Sequence, residues 1–239
     1  MNVANLFTSS VGKKFIMAGS GLLLFIFVVV HLAGNLQVFL GPEVINRYGN
    51  FLQTNTEVLW PARIILLILV LLHIWAAIKL TIENRAARPQ PYAQNEVVAA
   101  SYASRTMIWS GFIVLAFIIY HLLHFTAQVP GINLTGQDFM KLEDAKHQHD
   151  IFAMMVIGFR SPIVAGFYIF SMFLLFAHLS HGVKAMFQSL GWQGPAYKGV
   201  IAKFAVIISW LIFLGYIAIP IAIYLGYGQG YLTERGLLK

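Results

Sequence analysis

The sequence predicts an all-α integral membrane protein, a bundle of five transmembrane helices forming one domain over residues 1–239. Three observations predict it. Of the 239 residues, 59% are hydrophobic and only 10% are charged, whereas soluble domains carry about 25% charged residues. The mean hydropathy is +0.73. The apolar residues gather into five long runs, and the formal charge of +7 sits between them. That is the pattern of membrane loops and not of a nucleic-acid-binding face. These numbers exclude an ordinary soluble domain, and they exclude a disordered chain, which would be polar and poor in aromatics. The chain has no cysteine, which rules out disulfide scaffolds and cysteine-held zinc or iron–sulfur clusters on this chain.

The first run, Phe15 to Pro42, holds no Asp, Glu, Lys or Arg and predicts a span over about 15–40. Lys13 and Lys14 precede it as in a secretory signal, but its apolar stretch far exceeds the 7–15 residues of a signal core, so it reads as a retained helix. Ile64 to Ile78, extended by Val58–Trp60 and Leu80, predicts a second span over 58–82. From Thr106 the chain is apolar to near Gln128, which predicts a third over 105–128. Ser161 to Val183 predicts a fourth over 162–187, and Phe204 to Tyr227 a fifth over 203–226. Each is close to the ~20 apolar residues that cross a bilayer. They are too long and too continuous for barrel strands, and a helix satisfies its own backbone in hydrocarbon.

The connections read as loops. Residues 41–57 hold Gly-Pro and Asn-rich turn material, and the Arg-Pro-Gln-Pro punctuation at 88–91 stops a helix within 83–104. Residues 129–160 form the longest loop, with Asp138, Glu143, Asp144 and Asp150. Residues 188–202 contain a Gly-Trp-Gln-Gly-Pro turn. Nine basic residues fall on the side of Lys13, Lys14, Lys79, Arg85, Arg88, Arg105, Lys184, Lys198 and Lys203. Seven fall on the other, at Arg47, Arg63, Lys141, Lys146, Arg160, Arg235 and Lys239. The Lys13–Lys14 pair beside the first span tips the balance, placing the N-terminus inside and the C-terminus outside.

Six of the eight histidines fall inside predicted spans: His31, His73, His121, His124, His178 and His181. Ionisable groups at membrane depth are costly and face a bundle interior or a cavity. Depth sorts them. His31 and His121 lie nine and seven residues from the outer ends of their spans, and His73 and His178 each lie nine from the inner ends. The two levels differ by roughly seven residues, or about 10 Å of helix rise. Two opposed histidines from different helices at one depth are what a six-coordinate haem iron needs, so two such pairs predict two haems b. With both axial positions filled, the expected task is electron transfer. Interhelical hydrogen bonding is the competing explanation for any single histidine. A proton or metal path would more often recruit carboxylates, and no Asp or Glu lies within a predicted span. His124 and His181 each follow a proposed ligand by three residues on the same helical face. Contact with a haem propionate, a quinone pocket and plain packing all stay open for them. His147 and His149, in the acidic loop, have a His-x-His spacing that could bind a surface metal, but solvent exposure is the better reading.

The carrying segments are Phe-Val-Val-Val-His31-Leu-Ala-Gly-Asn35, Leu-Leu-His73-Ile-Trp, the stretch Gly111 to His121, Gly166-Phe-Tyr-Ile-Phe, and His178-Leu-Ser-His-Gly182. On these the chain resembles the cytochrome b membrane anchor of succinate dehydrogenases and fumarate reductases, in its five-helix, two-haem, single-anchor form. The resemblance covers about residues 12–226. It implies His31, His73, His121 and His178 as axial ligands of haem iron, the same four picked out by depth. It implies a flavoprotein subunit and an iron–sulfur subunit on the cytoplasmic face of a bacterial inner membrane. Electrons of the respiratory chain would pass between the iron–sulfur subunit, the two haems and a quinone, menaquinone by implication. The dicarboxylate chemistry would lie on the flavoprotein, so no catalytic residue is expected here. For the quinone region the candidates are Asn35, Gln37, Glu43, His124 and Gln128, with Glu43 as a proton relay or an ordinary solvated acid. The alternatives are the cytochrome b of another quinone-linked oxidoreductase, such as a formate dehydrogenase or hydrogenase, and a transporter with an intramembrane histidine relay.

Overall fold

The computed structural model describes residues 3–87 and 107–238. The Arg-Pro-Gln-Pro punctuation at 88–91, Arg105, Lys239 and the predicted start of the third span at 105 lie outside the described residues. Among the described residues five helices are long and apolar enough to cross a membrane, and the chain is an all-helical, multi-pass membrane protein.

A short helix α1 (Val3–Thr8) leads into α2 (Ser10–Leu36), which tightens into a 3-10 turn over Gln37–Leu40. Gly41 ends it at φ +99°, a conformation that favours glycine, and Pro42 opens α3 (Pro42–Thr54) in the first turn, where its missing N–H costs nothing. Helix α4 (Thr56–Ala86) carries Pro61 near its start. Helix α5 (Met107–His121) runs into a wide π turn over Leu122–Thr126, closed by Ala127 N–H donating to the Leu122 carbonyl at 2.7 Å. Then come α6 (Ile151–Phe159), α7 (Pro162–Ser189), α8 (Lys198–Tyr224) and a short α9 (Gln229–Glu234). Large apolar side chains such as Val30, Leu67, Trp109 and Leu211 are exposed. Acyl chains accept such a surface and water does not.

Two segments differ from the sequence expectation of loops. Residues 42–54 are an amphipathic helix with Ile45, Asn46 and Gly49 buried. Residues 151–159 are a helix whose last eight residues are all buried. Nine apolar residues are too few to cross a bilayer, so a search for spans passes over them. Asp150 caps the helix, its carboxylate accepting from Ala153 N–H at 2.9 Å.

The chain divides into two compact units. One gathers Met1–Val28, Trp60–Trp109 and Ala177–Ser209. Its core sets Ala18 of α2 against Val183 and Met186 of α7 and Ala205 of α8. Lys13, only 6% exposed, is ion-paired with Glu83 of α4 and donates to the Thr8 carbonyl at 2.9 Å. Taking an ammonium out of water demands such partners.

The other unit gathers Val29–Leu59, Ser110–Phe176 and Trp210–Lys239, and α6 is the centre of its core. Asn46 donates to Asp150 at 3.0 Å and accepts from Phe152 N–H at 2.9 Å. Tyr231 of α9 donates to the second Asp150 oxygen at 2.7 Å. Burial, with the Asp150 carboxylate adding to it, raises the Tyr231 phenol above its ordinary range, so it stays a donor. His149 is half-buried, in contrast to its exposed neighbour His147. Burial lowers its pKa, against the opposing pull of the Leu142 carbonyl and Asp150. The neutral ring bonds Leu142 O through Nδ1 at 3.2 Å and meets the Gln128 amide at Nε2 at 2.9 Å.

Candidate functional site

Each unit holds one histidine pair. In the first, His73 of α4 and His178 of α7 stand with ring centroids 6.4 Å apart and planes 61° from parallel. The Nδ1 of His73 lies 3.2 Å from the Met17 carbonyl and 3.3 Å from the Ser20 hydroxyl, both on α2. A carbonyl can only accept, so Nδ1 carries the hydrogen. The lone pair of His73 is therefore on Nε2. Ser20 is itself anchored by donating to the Ile16 carbonyl at 2.7 Å. Gly21 makes room for the ring: a Cβ there would stand 3.2 Å from His73 Cε1 and 3.5 Å from Nδ1. His181 is half-buried one turn beyond His178.

In the second unit His31 of α2 and His121 of α5 stand with centroids 5.7 Å apart and planes at 78°. Phe117 stacks on His121 at 5.8 Å and 21°, and Tyr216 of α8 approaches His31 at 6.3 Å. His121 Nδ1 lies 3.3 Å from the Tyr168 hydroxyl of α7. His124, in the π turn, does not join the pair. It is 1% exposed, stacks on Phe125 at 3.9 Å, and sets its own Nδ1 3.0 Å from the same Tyr168 hydroxyl.

The pairs fit what a haem-type group would take from the protein: two imidazoles from two helices, with ring centres 6.4 and 5.7 Å apart. Each site offers two histidines, the number required when a macrocycle supplies the other four donors. No cluster of three or more His, Cys, Asp or Glu side chains able to hold a metal occurs among the described residues.

The quinone candidates are engaged separately. Asn35 donates to the His31 carbonyl at 2.7 Å, within its own helix. Glu43 is exposed in the first turn of α3, where a carboxylate favours the helix N-terminus. Gln37 is half-buried, and Gln128 is held by His149 and Met154. Sequence reasoning missed Ser20, Gly21 and Tyr168. The signal for Tyr168 was present: a phenol inside an apolar span needs a partner for its hydroxyl. No family model, no curated protein and no solved structure matches this chain.

Proposed function

We propose that the chain is the di-haem cytochrome b membrane anchor of a succinate:quinone oxidoreductase. In this reading it carries electrons between an iron–sulfur subunit, docked with a flavoprotein on the cytoplasmic face of a bacterial inner membrane, and menaquinone. The observation that supports it most is the pair of neighbouring imidazoles in each unit, with ring centres at 6.4 and 5.7 Å and the hydrogen of His73 held on Nδ1. Haem bound by each pair supplies a one-electron ferric/ferrous couple. The residues of the chain do the rest. His73 and His178 would hold one iron, with Met17 and Ser20 keeping the His73 ring in the ligating tautomer. His31 and His121 would hold the other.

A reduced-minus-oxidised absorption spectrum of the purified protein, with a haem assay, tests this. Two haems b per chain, co-purifying with a flavoprotein, are expected. No haem, or one per chain, overturns the di-haem reading. Haem with a different catalytic partner would assign the anchor to another quinone-linked enzyme.

Gly21→Val supplies a second expectation. Its branched side chain would push into the His73 ring, which a bare Cβ already meets at 3.2 Å. The haem of the His73–His178 pair should turn high-spin or be lost while the other keeps its low-spin spectrum. Both spectra unchanged would show that Gly21 does not shape that site.

A further inference from the structure

One hydroxyl stands between two imidazoles in the second unit. The Tyr168 oxygen is 3.3 Å from His121 Nδ1 and 3.0 Å from His124 Nδ1. A phenol has a single hydrogen to donate, and a neutral imidazole has one N–H and one lone pair. Pairing the buried phenol hydrogen as well makes the two bonds run in one direction: one imidazole donates to the oxygen, and the hydroxyl donates to the other. Ligation of iron by His121 fixes the direction. An imidazole that gives its Nε2 lone pair to a metal keeps its hydrogen on Nδ1. His121 then donates to Tyr168, Tyr168 donates to His124 Nδ1, and His124 holds its hydrogen on Nε2. That Nε2 is buried and has no hydrogen-bond partner among the described residues. Tyr168 is 6% exposed and walled by Phe159 at 4.9 Å, Phe117 at 5.0 Å and Phe125 at 5.9 Å. Such walls keep water from replacing the phenol.

We propose that Tyr168, oriented by His124, is the positioning residue that sets the reduction potential of the haem held by His31 and His121. The inference rests on the di-haem reading above. An acceptor on the Nδ1–H of a ligating histidine makes the ring a stronger donor and favours the ferric state. His124, by accepting the phenol hydrogen, makes the Tyr168 oxygen a better acceptor in turn.

Potentiometric titration of the full chain with its native partners, at one fixed pH, tests this. The transition of the His31–His121 haem is first identified by its loss in His121→Ala. Tyr168→Phe should then shift that ferrous/ferric equilibrium roughly tenfold toward ferrous, a rise of about 59 mV for a one-electron couple. Both haems should remain low-spin and the other potential should not move. His124→Phe, which keeps the aromatic wall and removes the acceptor, should raise the same potential by less. The variants are read separately, so either decides if the other fails to assemble. An unmoved potential, or an equal shift in both haems, overturns the role of Tyr168. A fall in potential in His124→Phe overturns the direction of the relay. Wild-type protein without haem overturns the underlying reading along with the inference, a result distinct from haem that is present and unmoved.

Discussion

His121→Ala is expected to remove one of two haems and leave the other. The substitution takes one axial nitrogen from the His31–His121 pair, whose rings stand 5.7 Å apart, and leaves a void where the ring stood. An iron with one histidine left turns high-spin or loses its macrocycle. The His73–His178 pair belongs to the other compact unit, with its own support from Met17 and Ser20, and should keep its low-spin spectrum. His31→Ala should act like His121→Ala, while His73→Ala and His178→Ala should do the reverse. About half the haem b absorbance should vanish in each case. His124→Ala and His181→Ala are the controls and should keep both haems, with at most a change of potential from altered surroundings of the ligands. Difference spectra and low-spin electron paramagnetic resonance signals read the outcome. Loss of a haem in His124→Ala with retention in His121→Ala would reverse the assignment of these two residues, and the same swap between His178 and His181 would reverse the other.

Asp150→Ala should have the largest effect on stability, independent of any cofactor. The carboxylate is fully buried and accepts from Asn46, from the Tyr231 hydroxyl and from Ala153 N–H. Alanine would take the acceptor from Ala153 N–H and from the half-buried Tyr231 hydroxyl, leave the Asn46 amide only its longer contact with Asp144 at 3.4 Å, and remove the cap of α6. Each orphaned donor costs about 1–3 kcal/mol and the lost cap about 1 kcal/mol. The terms share one site and do not simply add, so the total should be roughly 3–5 kcal/mol. By the scale of soluble domains of this size that is a fall in Tm of roughly 10 °C. Residues 229–238, tied down through Tyr231, should also become more open to protease. An unchanged melting temperature in detergent would show that the Asp150 contacts do not hold this unit together.

The five spans were legible because membrane insertion is a one-dimensional condition. About 20 apolar residues in sequence satisfy it whatever they pack against. The structure moves the edges by a few residues: the first span begins at Ser10 where 15 was expected, and the second extends to Ala86 beyond the expected 82. Depth is equally one-dimensional, so counting along the helices could pair His31 with His121 and His73 with His178. The ring separations are the spatial counterpart of that pairing, and the ligand role itself stays with the proposal.

What only the tertiary structure decided depends on rotation about the helix axes and on contacts between residues far apart in sequence. The sequence places His121 and His124 on one face of a regular helix. In the structure both reach the Tyr168 hydroxyl, yet only His121 meets His31, while His124, in the π turn over Leu122–Thr126, stacks on Phe125. The tautomer of His73 depends on a carbonyl 56 residues away in sequence. Helix α6 was hidden because nine apolar residues are too short to read as a span. It forms because Asp150 caps it and Asn46, Tyr231 and the surrounding apolar residues bury it. Hydropathy records how much of a segment must leave water, and only the fold determines which neighbours it meets there.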